Sequence, residues 1–186
     1  MVEHLKRETH LRYSSDLQVN WEVTEKLEKE EKYVAFNRWC DENDIVHPAV
    51  RYPVAFGPTG GLVGVVATRE IGIGEAYVYV PLKCIISESK FRADPQIGHL
   101  LDKYPELFRD RDNSEHLVVI FFCLHEMSKG EGSFWYHYFQ VSALSEMPAQ
   151  WSDADLDVLH DPIMKLEMKD ENEELEEEFE EVLEMA

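Results

Sequence analysis

Among its charged groups this chain is poorest in basic residues. Its 186 residues carry 18 Lys and Arg against 38 Asp and Glu, a formal net charge of −20. With no surplus of cations to displace the counterions of a phosphate backbone, general affinity for nucleic acid is not expected. Docking on anionic lipid is not expected either. A basic protein segment is the electrostatically favoured partner. Cysteine is nearly as scarce. Cys40, Cys84 and Cys123 lie far apart and form no Cys-x-x-Cys pair, which excludes a zinc ribbon and a dithiol redox site. An odd count without framework spacing fits a reducing compartment, cytoplasmic or nuclear, with the thiols serving as small core groups. Long apolar runs are missing as well. The first twenty residues, MVEHLKRETHLRYSSDLQVN, hold no stretch of seven apolar residues, so no secretory signal is expected there. No segment reaches the eighteen apolar residues of a membrane span.

What is present is the composition of a folded protein, 44% hydrophobic and 11% aromatic. The negative charge is concentrated at one end. From Asp161 to Ala186 there are twelve acidic residues and two lysines, so this stretch alone carries half of the net charge. Residues 1–20 are polar and without pattern, and are expected to form an arm. From Trp21 to Asn43 the pattern is helical, with Phe36, Trp39 and Cys40 on one face. Asn43-Asp44 and His47-Pro48 end that helix.

Strand character follows. RYPVAF, LVGVVAT and AYVYVPLKCII are rich in β-branched and aromatic residues and are separated by turn residues. Gly72 and Gly74 fall between the second and third of these, where a tight connection is expected. Helical pattern returns at DNSEHLVVIFFCLHEMSKG. Asp112 and Glu115 have capping-box spacing there, Leu117, Ile120, Phe121 and Leu124 form a stripe, and Gly130 follows as a helix stop. The aromatic run SFWYHYF comes next, then a short helix capped by Ser152. In the acidic tail Leu175, Phe179, Val182 and Leu183 recur at helical spacing.

Each candidate for chemistry competes with a plainer account. Six glycines between Gly57 and Gly74 suggest a phosphate loop, yet no Gly-Lys pair exists, and Gly72-x-Gly74 leads into a strand pattern rather than a helix. Eight histidines suggest metal, but none is paired with a second ligand on one helix face; His116 and His125 are nine residues apart. No metal site is therefore expected. Ser133 and His137 lack the Gly-x-Ser-x-Gly frame of a nucleophile. Trp135, Tyr136, Tyr138 and Phe139 are expected to be packing residues, not a base-stacking platform.

Taken in order, FNRWCDEN43, YPVAF56, GLVGVVATREI71, Gly74-Glu75, Val80-Pro81, LVVIFFCLHE, Gly130 and the Ser133-Phe-Trp-x-x-Tyr138 motif form a pattern. From Tyr33 to Leu159 it resembles the N-terminal part of SET-domain protein methyltransferases of the Rubisco-lysine and actin-histidine type. The resemblance implies S-adenosylmethionine as cofactor and a lysine or histidine side chain of a protein as acceptor. It places Gly61, Leu62, Val63 and Gly64 against the cofactor, mainly through their backbone. In two places the sequence departs from the family: Gly61 stands where relatives often carry Glu, and SALSEMP follows the aromatic motif where relatives usually show Leu-Pro.

The Asn-His segment and later tyrosine that do much of the family's catalytic work have no counterpart here, since Asn-His occurs nowhere in the chain. The expectation is therefore an α+β chain with an incomplete SET fold: an N-terminal helix, short antiparallel strands, a helical segment and an acidic helix. Its expected parts are an arm (1–20), a partial SET-like domain (21–160) and an acidic tail (161–186). No catalytic residue is assigned, and the chain alone is expected to be inactive. The alternative is a non-catalytic interaction module that binds a basic protein segment through its acidic C-terminal helix.

Overall fold

The computed structural model describes residues 18–109, 114–142 and 147–185. In chain order its elements are α1 (Trp21–Leu27), α2 (Glu31–Glu42), β1 (Val50–Phe56), β2 (Leu62–Ala67), α3 (Glu88–Ala93), α4 (Leu100–Lys103), α5 (Pro105–Phe108), α6 (Ser114–Ser128), α7 (Tyr136–Val141), α8 (Asp153–Asp157) and α9 (Pro162–Met185). Among the described residues the fold is α+β, mostly helical, with one two-stranded antiparallel sheet. It divides into two compact units. The first holds residues up to Ile85 together with Lys129–Val141, and the second holds Ile86–Ser128 and the chain from Ser142 on.

In the first unit, the single helix expected over 21–43 is two. Asn20 caps α1 by accepting the Val23 N–H at 3.1 Å. The helical ladder then lapses, as Lys29 and Glu30 donate to carbonyls only three residues back. Glu28, at this break, instead takes Arg51 of β1 in a two-pronged ion pair at 2.7 and 2.8 Å. That pairing holds the Glu28 carboxyl below its ordinary range. The α2 helix stops where expected, with Asn43 as its cap and Asp44 in left-handed backbone at φ 61°. The expected face is present too: Trp39 and Cys40 are buried, together with Tyr33.

β1 is the buried strand, and Pro53, Val54 and Ala55 form its centre. It pairs with β2 in the register Val54↔Gly64, Ala55↔Val63 and Phe56↔Leu62, with an irregularity between Arg51 and Val54. Thr24 ties α1 to this strand. Fully buried, its Oγ1 donates to Asn20 O at 2.8 Å and accepts the Ala55 N–H at 3.0 Å. The turn between the strands depends on Gly60, at φ 69°, where an added Cβ would sit 2.7 Å from Val23 Cγ1.

The third strand expected in AYVYVPLKCII does not form among the described residues. Only an isolated bridge joins Val46 to Tyr79, and Leu82–Cys84 is a 3₁₀ turn. Val and Tyr favour strands, but a strand also needs a neighbouring ladder, and none is described beside this segment. The Gly72 turn is nevertheless made, with Glu75 N–H donating to Gly72 O at 3.1 Å and Gly74 at φ 80°. The aromatic motif closes this unit. Trp135 is buried and its indole N–H donates to Cys84 O at 2.8 Å. Phe134 meets Trp39 edge to face at 5.6 Å between centroids. Of the other aromatics expected to pack, Tyr136 and Phe139 are half-buried and Tyr138 is exposed.

In the second unit, Phe91 is the central ring, 5.7 Å from Phe108 and 6.2 Å from Phe122, with Leu101, Leu107 and Val118 buried. The stripe expected on α6 is displaced. Val118, Phe122 and Glu126 are the buried positions, whereas Ile120 and Leu124 are 50% and 58% exposed. A helix that is apolar nearly all round between Leu117 and Leu124 carries no clear periodicity, so the sequence does not mark which face is covered. The expected capping partner Asp112 lies outside the described residues. Gly130, at φ 55°, stops the chain just past α6, and Ser152 Oγ caps α8 by accepting the Asp155 N–H. Among the described residues no helix is long and apolar enough to cross a membrane.

Candidate cofactor-facing strand

The four residues Gly61–Gly64 run from the turn into β2. Leu62, Val63 and Gly64 pair with Phe56, Ala55 and Val54 in the ladder, and Gly61 precedes it. Among the described residues no strand pairs with the other edge, so alternate N–H and C=O groups of β2 face outward along it. Gly61 is exposed, and a Cβ there would meet only Thr59 Oγ1, at 3.4 Å. Its backbone is therefore open to close approach by another molecule. Gly64 has a different role. Its missing side chain makes room for the Phe56 ring, which an added Cβ would touch at 3.3 Å.

The side chains beside this backbone are uncovered. Successive residues of a strand point to opposite faces, and Leu62 and Val65, on opposite faces of β2, are 57% and 53% exposed. Further along, Tyr77, Val78, Tyr79, Val80 and Leu82 are all exposed. The apolar residues that suggest a third strand are thus present as an uncovered apolar stretch, anchored at its far end by the Trp135–Cys84 bond.

Among the described residues no activated nucleophile accompanies Gly61–Gly64. Burial pushes the Cys40 thiol up to about 11, with Asp41 and Cys84 adding to the shift. That is the reverse of what an activated nucleophile requires. Burial likewise raises Tyr52 to about 12. Ser133 Oγ accepts the Trp135 N–H at 3.1 Å and so shapes the aromatic motif. His137 lines a separate open cleft of about 610 Å³ between α2 and α7, with Glu31, Lys32 and Tyr136.

One constellation escapes sequence reasoning. Asp94, just past α3, meets His125 and Glu126 of α6, with one ligand atom of each within 4.8 Å of the others. His125 Nε2 lies 3.3 Å from Asp94 Oδ2. The approach misses hydrogen-bond alignment, and the buried Nε2 has no hydrogen-bond partner among the described residues. Such a set could hold a divalent cation by its donor types. Yet Asp94 Oδ1 already accepts the N–H groups of Gln96 and Ile97 at 2.8 and 3.2 Å, and both carboxylates take part in further interactions. The cluster is accounted for as the anchor of the turn after α3. With Asp94 and His125 31 positions apart, no spacing rule finds it.

Compared with family models, with curated proteins and with solved structures, the chain matches none.

Proposed function

We propose that this chain carries the front half of a SET-type protein N-methyltransferase. In this reading it uses S-adenosylmethionine and methylates a lysine or histidine side chain of a protein. The observation that carries the reading is the uncovered state of β2 and of residues 77–82. A two-stranded sheet is marginal alone, and an apolar surface of this kind marks a place where further structure or a ligand belongs. The ordered motifs from Tyr33 to Leu159 favour further strands of a SET fold as that cover, supplied by chain outside these 186 residues.

Methyl transfer needs a sulfonium carbon and a neutral acceptor nitrogen held in line, which is mainly a task of positioning and exclusion of water. The residues present fit the binding part of that task. Gly61 offers approachable backbone, the open edge of β2 offers N–H and C=O groups, and Leu62 and Val65 offer apolar flanks. Among the described residues none beside Gly61–Gly64 offers a general base, and in this reading that part of the task falls to chain outside these 186 residues.

The test is the intact mass of the natural protein, followed by transfer of a tritiated methyl group from S-adenosylmethionine to protein acceptors. A longer natural protein that labels lysine or histidine is the expected result. A natural protein that ends at Ala186, or a longer one that transfers no label, overturns the proposal.

A further inference from the structure

A second uncovered surface lies in the other unit and does not depend on the methyl-transfer reading. Helix α9 runs 24 residues, Pro162–Met185, about 36 Å at the usual rise. It packs on the 148–150 turn and on α8, and its two lysines are both consumed there. Lys165 reaches Asp157 at 2.6 Å and Lys169 reaches Asp153 at 2.8 Å. Beyond them, from Asp170 to Ala186, stand ten carboxylates and no Lys or Arg. No described side chain of α9 is buried, and from Glu173 on every described one is exposed. Leu175 and Phe179, one turn apart on a common face, are 48% and 63% exposed.

We propose that this half of α9 docks a basic amphipathic segment of a partner protein, with Leu175 and Phe179 as apolar anchors and the flanking glutamates as its charge complement. The charge selects the occupant. A second copy of the chain would set ten further carboxylates against these, and an anionic surface would be repelled in the same way. A Lys- or Arg-rich helix with apolar residues at i, i+4 and i+7 covers both anchors and neutralises the glutamates on either side.

The experiment titrates the isotope-labelled 186-residue chain with a synthetic Lys/Leu peptide of about 20 residues patterned in that way. A scrambled peptide of equal composition serves as control. The patterned peptide is expected to bind about tenfold more tightly than the scrambled one, with shift changes confined to α9. Leu175→Ser with Phe179→Ser should remove that advantage while far-UV dichroism stays unchanged, since both side chains are exposed. Equal binding of the two peptides shows attraction by charge alone and overturns the proposal. Failure of the patterned peptide to bind also overturns it. So does a sedimentation shift to dimer that the same two substitutions abolish, because the occupant is then a second copy.

Discussion

The Trp135 indole N–H donates to the carbonyl of Cys84 across 51 residues of sequence, at 2.8 Å and out of solvent. Another buried indole lies in the same unit. Trp39 Nε1 has no hydrogen-bond partner among the described residues. Two tryptophans of similar burial thus differ in one bond, and the difference is measurable.

Replacing each with Phe separates packing from hydrogen bonding. Trp135→Phe loses ring volume and strands a buried carbonyl, whereas Trp39→Phe loses similar volume and removes an unpaired donor. The expected gap is about 1–2 kcal/mol, with Trp135→Phe the more destabilised. Denaturant midpoints read at equal slope check this. Equal losses would show that the Cys84 bond contributes nothing.

Thr24 makes a comparable prediction. Thr24→Val keeps the shape but leaves the Ala55 N–H without its acceptor, at an expected cost of about 1–3 kcal/mol. Thr24→Ser keeps the hydroxyl and should cost about 1 kcal/mol for the lost methyl. Urea unfolding of the two variants gives the comparison.

The two glycines at the head of β2 should respond differently. Gly60→Ala forces a Cβ against Val23 in left-handed backbone and should destabilise by about 1–3 kcal/mol. Gly61→Ala, with only Thr59 Oγ1 nearby, should stay within about 0.5 kcal/mol of the parent. In the natural protein it should still weaken cofactor binding. Thermal unfolding and cofactor titration of the pair distinguish a glycine kept for the fold from one kept for a ligand.

The Cys40 thiol, raised to about 11 chiefly by burial, fixes the sign of a pH effect. As pH climbs past about 8.5 the unfolded chain releases this proton first. The folded state then binds more protons, and stability falls with rising pH. The slope should appear between about pH 8.5 and 10, ahead of any contribution from Tyr52, and Cys40→Ala should reduce it, leaving the part due to the Cys123 thiol, which burial also raises. A stability curve of the parent already flat over that range would contradict the assignment.

Part of this architecture can be inferred from the residues themselves, whereas the short helices α3, α4 and α5 carry no expectation from the sequence. The α2 face is legible because Phe36, Trp39 and Cys40 recur at helical spacing, and β1 because RYPVAF has strand-favouring composition, although its centre at Pro53, Val54 and Ala55 is buried on both faces. The split between α1 and α2 is not legible, because the Lys- and Glu-rich stretch from Glu25 to Lys32 has no Gly or Pro to mark where the bonds of Lys29 and Glu30 shorten to three residues. The third strand expected at Tyr77–Val80 has strand-like composition, but among the described residues only the isolated Val46–Tyr79 bridge pairs with it. The strand pattern of LVGVVAT places Gly61–Gly64 at a strand start, whereas the space that Gly64 leaves for the Phe56 ring follows from the pairing of β1 with β2, which sequence spacing does not encode.

The most direct measurement of the central claim is equilibrium binding of S-adenosylmethionine to the 186-residue chain and to the full-length protein that the proposed function requires, with amide exchange followed at residues 61–64. The account predicts that the full-length protein binds and slows exchange along that segment, and that the shorter chain does neither. A full-length protein that fails to bind, or that binds with exchange at 61–64 unchanged, would contradict it.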